Sequence, residues 1–231
     1  MNNDVKISKR MQEIVNLVDK RRVCDIGCDH GKIIAKLFID KKIDFAIISD
    51  ISEKCVLKAK NLLDSMGVVD YAMQVGDGLS VINDEDKIEQ VIISGMGGLE
   101  IIKILSNSKN KFSSLILQPQ RNEVDMKKYL IKNGYNIVFD KIIQDDKFYN
   151  VVKAEVCSDT NEVNKESSEI NLYFGKNNYL NVSRPNPDFV NYINYLESKI
   201  CKYINNLSDE CYTESKKILN YIAMIKKYLG V

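Results

Sequence analysis

Met11, Ile14, Val15 and Val18 recur at three- and four-residue intervals with Lys9, Arg10 and Glu13 between them, and Ser8 stands at a capping position. The pattern predicts an amphipathic first helix. The period then shortens. Arg22 to Gly27 is an apolar run ending in glycine, Lys32 to Phe38 returns to helical spacing, and Phe45 to Asp50 is a second apolar run, so the segment reads as strand, glycine turn, helix, strand. The rhythm continues with a helix over Glu53 to Met66, strands over Tyr71 to Val75 and Gln90 to Ser94, a helix over Leu99 to Leu105, a strand over Ser114 to Gln118 and a helix over Glu123 to Lys132. Strands alternating with helices predict a mainly parallel sheet covered on both faces. Asn136 to Ile143 and Tyr149 to Val156, separated only by Gln144-Asp145-Asp146-Lys147, predict an antiparallel edge.

Residues 158–169 are polar apart from Val163 and read as a linker, which divides the chain into a domain over 1–160 and a tail over 161–231. After Arg184-Pro185-Asn186-Pro187, the residues Phe189, Ile193, Leu196, Ile200, Tyr203 and Leu207 are spaced 4, 3, 4, 3, 4, and Cys211, Ser215, Ile218, Ile222, Ile225 and Leu229 repeat that spacing. Two such seams around a short polar break predict a helical coiled-coil hairpin. The alternative is that both helices pack on the sheet.

Charge changes this picture locally. Lys+Arg number 33 and Asp+Glu 32, a formal +1, which argues against a disordered polyelectrolyte and a uniformly basic nucleic-acid binder. Residues 1–22 and 176–231 each carry an excess of three positive charges, however, so an acidic body sits between basic ends. The N-terminal residues lack an apolar signal core and no run is long enough to span a membrane, so a cytoplasmic protein is expected. Its six cysteines are then expected to be reduced thiols. Cys24 and Cys28 with only His30 nearby make a poor zinc site, so no metal is expected.

The chemistry concentrates in Cys24-Asp25-Ile26-Gly27-Cys28-Asp29-His30-Gly31. Gly27 and Gly31 allow a sharp strand-to-helix turn and close approach of a ligand to the backbone. The segment departs from the dinucleotide fingerprint, and Asp25 and Asp29 would repel a pyrophosphate. A cationic ligand fits better. S-adenosylmethionine carries a sulfonium and an ammonium, and acidic loops after the first strand hold its methionine half in Rossmann-like class I methyltransferases. Asp50, followed by Ile51, closes the second strand where a carboxylate can accept both ribose hydroxyls, and Asp77 beside Gly78 follows the third strand, where it can meet an adenine amino group. Cys28 and Gly31 complete the loop side of this expected cofactor site. Gly95 and Met96 complete the fourth-strand side.

Ser94-Gly95-Met96-Gly97-Gly98 again places glycines at the start of a helix, and Gln118-Pro119 ends the fifth strand at the same sheet edge. In Rossmann-like methyltransferases this is where the acceptor is positioned, and likeness to them implies that Gly97, Gly98, Gln118 and Pro119 face it. Together with Ile7-Ser8-Lys9-Arg10-Met11, Asp25-Ile26-Gly27-Cys28-Asp29-His30 and Gln74-Val75-Gly76-Asp77-Gly78-Leu79, these motifs resemble the bacterial tRNA (adenine(22)-N1)-methyltransferases over essentially the whole chain. The resemblance implies a Rossmann-like sheet with a coiled-coil tail, S-adenosylmethionine as cofactor and tRNA as substrate.

For that reaction Lys9 and Arg10 are the candidate phosphate contacts, and the catalytic candidates are Asp29, His30 and Tyr149. Asp29 would either offset the charge that N1-methylation creates or accept a proton from the exocyclic amine, and Tyr149 would either stack on a flipped base or pack at the start of its strand. His30, the only histidine, either touches cofactor or substrate or fixes the turn by a hydrogen bond. A monomer is expected. Two other readings stay open: a methyltransferase for a small molecule or protein, and a non-catalytic cofactor-binding module whose coiled coil recruits a partner.

Overall fold

The computed structural model describes residues 5–157, 168–181 and 185–231. Most of the expected linker, the division at residue 160 and Arg184 lie outside the described residues. A first helix, α1 (Lys9–Leu17), is capped by the Ser8 hydroxyl, which accepts from the Met11 N–H, and buries Ile14 and Val15. Then follow β1 (Arg22–Ile26), α2 (Lys32–Ile39), β2 (Phe45–Asp50), α3 (Glu53–Ser65), β3 (Tyr71–Val75), two short 3-10 turns, β4 (Gln90–Met96), α4 (Gly98–Ser106), β5 (Ser114–Pro119), α5 (Glu123–Lys132), β6 (Tyr135–Gln144) and β7 (Phe148–Val156). The chain continues through the short helices α6 (Glu169–Phe174) and α7 (Lys176–Tyr179) into α8 (Pro187–Tyr203) and α9 (Asp209–Leu229).

The seven strands form one sheet in the order β3-β2-β1-β4-β5-β7-β6. Its first five members are parallel, and β7 runs antiparallel to both neighbours. The strands read as continuous apolar runs because both faces are covered. Val23, Ile48, Ile92 and Ile116 pack under α1, α2 and α3, while their neighbours Cys24, Ile47, Val91, Ile93, Leu115 and Leu117 pack under α4 and α5. Strand order reverses between β1 and β4, so the crevice above their C-terminal ends is where a ligand site belongs.

The tail differs from a pair of seams closed only on each other. Phe189 and Ile193 of α8 and Ile222 and Ile225 of α9 share a core with Ile142 of β6, Phe174 of α6 and Tyr179 of α7. The base of the helix pair is thus built onto the sheet edge. Toward its tip the apolar seam loses cover: Tyr203 is 48% exposed, Leu207 is 37% exposed, and Cys201 and Cys211 are exposed. Pairing with the edge strand supplies the burial that the tip lacks.

One buried ion pair joins α5 to β6, and the first tail helix hydrogen-bonds to its lysine. Lys127 of α5 and Asp140 of β6 lie 2.6 Å apart with side chains 1% and 3% exposed. Lys127 Nζ also donates to the Leu172 carbonyl of α6 at 3.1 Å, and Asn150 Nδ2 donates to Asp140 Oδ1 at 2.6 Å. Buried charge is tolerated here because both members have partners. No described helix is long and apolar enough to cross a membrane, and no group of three His, Cys, Asp or Glu among the described residues is arranged to hold a metal ion.

Candidate active site

The turn after β1 is shaped by its backbone. Gly27 and Cys28 both donate N–H bonds to the Ser49 carbonyl of β2, at 2.8 and 3.1 Å, which folds the loop over the sheet edge. Asp29 sits at φ +45°, a left-handed conformation that aspartate tolerates better than most residues. Its N–H donates to Asp50 Oδ2 at 3.4 Å, while Asp50 Oδ1 accepts from the Ser52 N–H at 2.9 Å. One carboxylate therefore ties the first loop to the start of α3.

The loop borders a cavity of about 530 Å³ at the switch point, within the usual range for small-molecule sites. Asp25, Gly27, Cys28, Asp29 and His30 line it from the first loop, Asp50 from β2, Ser94, Gly95 and Met96 from β4, and Arg10 and Met11 from α1. Lys32, Ile33 and Gln120 complete the wall. Gly95, at φ +81°, sits where the register between β4 and β5 shifts, so the bulge turns the end of β4 toward the cavity.

Electrostatics favour a cation inside. Asp25 is 2% exposed and lines the cavity wall. Burial, together with the charge of Asp50, raises its pKa from 3.8 to about 7. A cationic group placed against Asp25 would relieve that penalty. Burial and the same carboxylates push the Cys28 thiol well up, so this cysteine is a neutral wall rather than a nucleophile. His30 is half exposed, with Nε2 3.6 Å from Asp29 Oδ1.

Other expected site residues lie elsewhere. Gly31 caps α2 in a left-handed conformation, and a Cβ there would come within 2.7 Å of Ala59 Cβ on α3; helix packing accounts for this glycine. Gly98 donates to the Arg121 carbonyl at 2.8 Å, and a Cβ would meet the Asn122 carbonyl oxygen at 2.3 Å, so the following loop, not an acceptor molecule, demands glycine. Gly97 lies beside Arg121. Ile51 is exposed and outside the cavity lining, and Asp77 and Gly78 line a separate recess of about 30 Å³ with Lys103 and Asn107, room for a water molecule.

Gln118 and Pro119 are buried in β5. Gln118 Oε1 accepts from Arg10 Nη1 at 2.7 Å, and the Arg10 guanidinium lies 4.9 Å from the centroid of the Tyr149 ring. Tyr149 is outside the cavity lining, and its hydroxyl donates to Asp146 Oδ1 at 2.7 Å. It thus offers a ring face, through Arg10, rather than a free phenol. Lys9 is held by Asp188 at 2.6 Å. Met11, Lys32, Ile33, Ser94 and Gln120 line the cavity without having been expected there; Met11 and Ser94 stand inside the motifs that carry the resemblance, and Lys32, Ile33 and Gln120 carried only their position at a helix start or strand end.

An α/β sheet of this order with an acidic pocket at the β1/β4 switch defines a nucleoside-cofactor enzyme of the methyltransferase class, and residues 7–152 match the methyltransferase domain family. The tRNA (adenine(22)-N(1))-methyltransferase of Bacillus subtilis is 33% identical over 159 residues, 66% of this chain and 66% of that protein. The crystal structure of the B. subtilis M1A22 tRNA methyltransferase TrmK superposes with a TM-score of 0.77 at 26% identity, covering 98% of this chain and 100% of that one. A protein of the NADB-Rossmann superfamily from Streptococcus agalactiae superposes at 0.81 with 26% identity over 98% of each chain. The chain belongs to the methyltransferase domain family and, within it, to the TrmK-like group.

Proposed function

We propose that the protein methylates N1 of the adenine at position 22 of tRNA, using S-adenosylmethionine. The observation that carries this reading is the cavity at the β1/β4 switch point, lined by Asp25, Asp29 and Asp50, with Asp25 nearly buried and Arg10 at the wall. The B. subtilis relative, named for that reaction, and the methyltransferase domain family support it. S-adenosylmethionine supplies an electrophilic methyl group on sulfur.

The chain's residues bind and orient. Asp25 and Asp29 would hold the ammonium of such a ligand and Asp50 would accept from its ribose hydroxyls, all three lining the cavity. Adenine N1 carries its own lone pair once the base is unpaired, so no strong base is needed, and positioning supplies most of the rate. Turning the base out of its helix costs a few kcal/mol, about what one stacking surface and a few phosphate contacts return. Arg10, spread over Tyr149, offers that surface beside the cavity. Asp29, with His30 beside it, provides negative charge near the base as it becomes cationic.

In this reading residues 1–160 bind the cofactor, residues 161–231 grip the RNA, and the protein acts as a cytoplasmic monomer. The pairing of Phe189 and Ile193 with Ile222 and Ile225 inside one chain supports the last point. The test is incubation with methyl-labelled cofactor and tRNA transcripts with and without adenine at position 22, followed by digestion to nucleosides. Labelled N1-methyladenosine is expected only from the former. Cofactor binding without label in any RNA would sink the tRNA reading and favour a small-molecule or protein acceptor.

A further inference from the structure

The first turn of α1 is not a freely solvated basic face. Lys9 Nζ donates to Asp188 Oδ2 at 2.6 Å, and the same oxygen accepts the backbone N–H of Gln144 at 3.0 Å. One carboxylate in the first turn of α8 thus grips both the start of α1 and the end of β6. One residue further along each segment the contact repeats, because the Arg10 N–H donates to Asp145 Oδ2 at 3.2 Å. The side chain of Gln144 in turn accepts from Asn191 Nδ2 of α8 at 2.8 Å.

The chain of contacts ends at the cavity. Arg10 is held through its backbone by Asp145, through Nη1 by buried Gln118 and across its face by Tyr149, and it lines the cavity. Asp145 and Tyr149 flank the β6–β7 turn, and that turn is fastened to α8 by Asp188 and Asn191. The Asp188 side chain is only 14% exposed, so its bonds are better shielded from water than those of a surface pair.

We propose that Asp188 is a positioning residue for methyl transfer: it locks the tail, the β6–β7 turn and the first turn of α1 into one unit and so sets the place of Arg10 at the cavity. The activity part of its test rests on the tRNA reading above. A displacement of well under 1 Å at a reacting centre is enough to slow a positioned reaction by about tenfold or more.

The experiment uses the full chain. Turnover at saturating tRNA and cofactor, affinity for S-adenosylhomocysteine, affinity for tRNA and amide hydrogen exchange are measured for Asp188→Ala, Asp188→Asn, Lys9→Met and Arg10→Met. Asp188→Ala is expected to lower kcat about tenfold while both affinities stay within about twofold. Asp188→Asn, which keeps an oxygen for the Gln144 N–H, is expected to fall between. Since Arg10 lies at the end of the same chain of contacts, adding Asp188→Ala to Arg10→Met should lower kcat little further.

Unchanged kcat, multiplying effects, or a loss that follows weakened binding would each overturn the proposal. Exchange at the Arg10 and Gln144 amides reads the coupling without turnover: both should quicken in Asp188→Ala, and unchanged protection at Arg10 overturns the proposal even if no tRNA is methylated. If Asp188→Ala does not fold, Lys9→Met, which removes only a half-exposed ammonium, must show the same kcat loss and faster Arg10 exchange in weaker form.

Discussion

At the scale of single residues, the site sets stability against binding, and Asp25 carries the conflict. Its pKa is raised from 3.8 to about 7 by burial and by the charge of Asp50, so between those values the folded chain holds a proton that the unfolded chain has released. Stability that the neutral carboxyl provides is therefore fully present below the unfolded value and is lost as pH rises through the folded one. Asp25→Asn keeps the shape and removes the charge. It should raise the stability of the ligand-free protein at about pH 8 by on the order of 2 kcal/mol, with little change near pH 4. The same variant should bind S-adenosylmethionine at least tenfold more weakly, because the cation loses its buried counter-charge. Urea unfolding at the two pH values with cofactor titration checks both; a variant that is no more stable at the higher pH would show that the carboxylate is solvated.

At the scale of elements, almost every strand and helix of the sheet was readable from period alone. Phe45–Asp50, Tyr71–Val75 and Glu123–Lys132 fall where the pattern puts them, because flanking glycine, proline and polar turns leave apolar runs of one period each. The acidic loop after β1 was readable for the same reason. What the sequence does not display is pairing across distance. Lys127 looks like an exposed position of α5 and Asp140 like a solvent-facing strand residue, yet they meet in the interior with Asn150 and the Leu172 carbonyl. Gly31 and Gly98 look like ligand glycines, yet Gly31 answers to Ala59 on α3 and Gly98 to the Arg121 and Asn122 carbonyls. The short helices α6 and α7 carry too few turns to show a period. Lys127→Met would leave Asp140 charged and buried and should cost about 3–5 kcal/mol in equilibrium unfolding. A loss below about 1 kcal/mol would mean that water reaches the pair.

At the scale of the whole molecule, the question is whether the tail is an appendage or part of the body. Coiled-coil spacing in sequence suggests an appendage that folds by closing on itself, but Phe189, Ile193, Ile222 and Ile225 also cover Ile142 of β6, and Phe148 of β7 stacks edge-on against Tyr192 with ring centroids 5.4 Å apart. Removing everything after Cys157 would expose that edge of the sheet, take away the Leu172 carbonyl from Lys127 and release Asp188 from Lys9 and Gln144. An uncovered apolar edge strand also invites pairing with other chains. A chain ending at Cys157 is therefore expected to aggregate or to unfold without a cooperative transition. By contrast, alanine at the exposed tip, Tyr203 and Leu207, should shift stability by less than about 1 kcal/mol, whereas Ile193→Ala or Ile222→Ala should each cost about 2–5 kcal/mol. Circular dichroism melts of the shortened chain and the four point variants decide it. If the shortened chain melts cooperatively and binds S-adenosylmethionine as well as the full chain, the tail is an independent unit and the strap through Asp188 spans a flexible joint; if tip and base substitutions cost the same, the helix pair is zipped along its whole length and owes the sheet nothing.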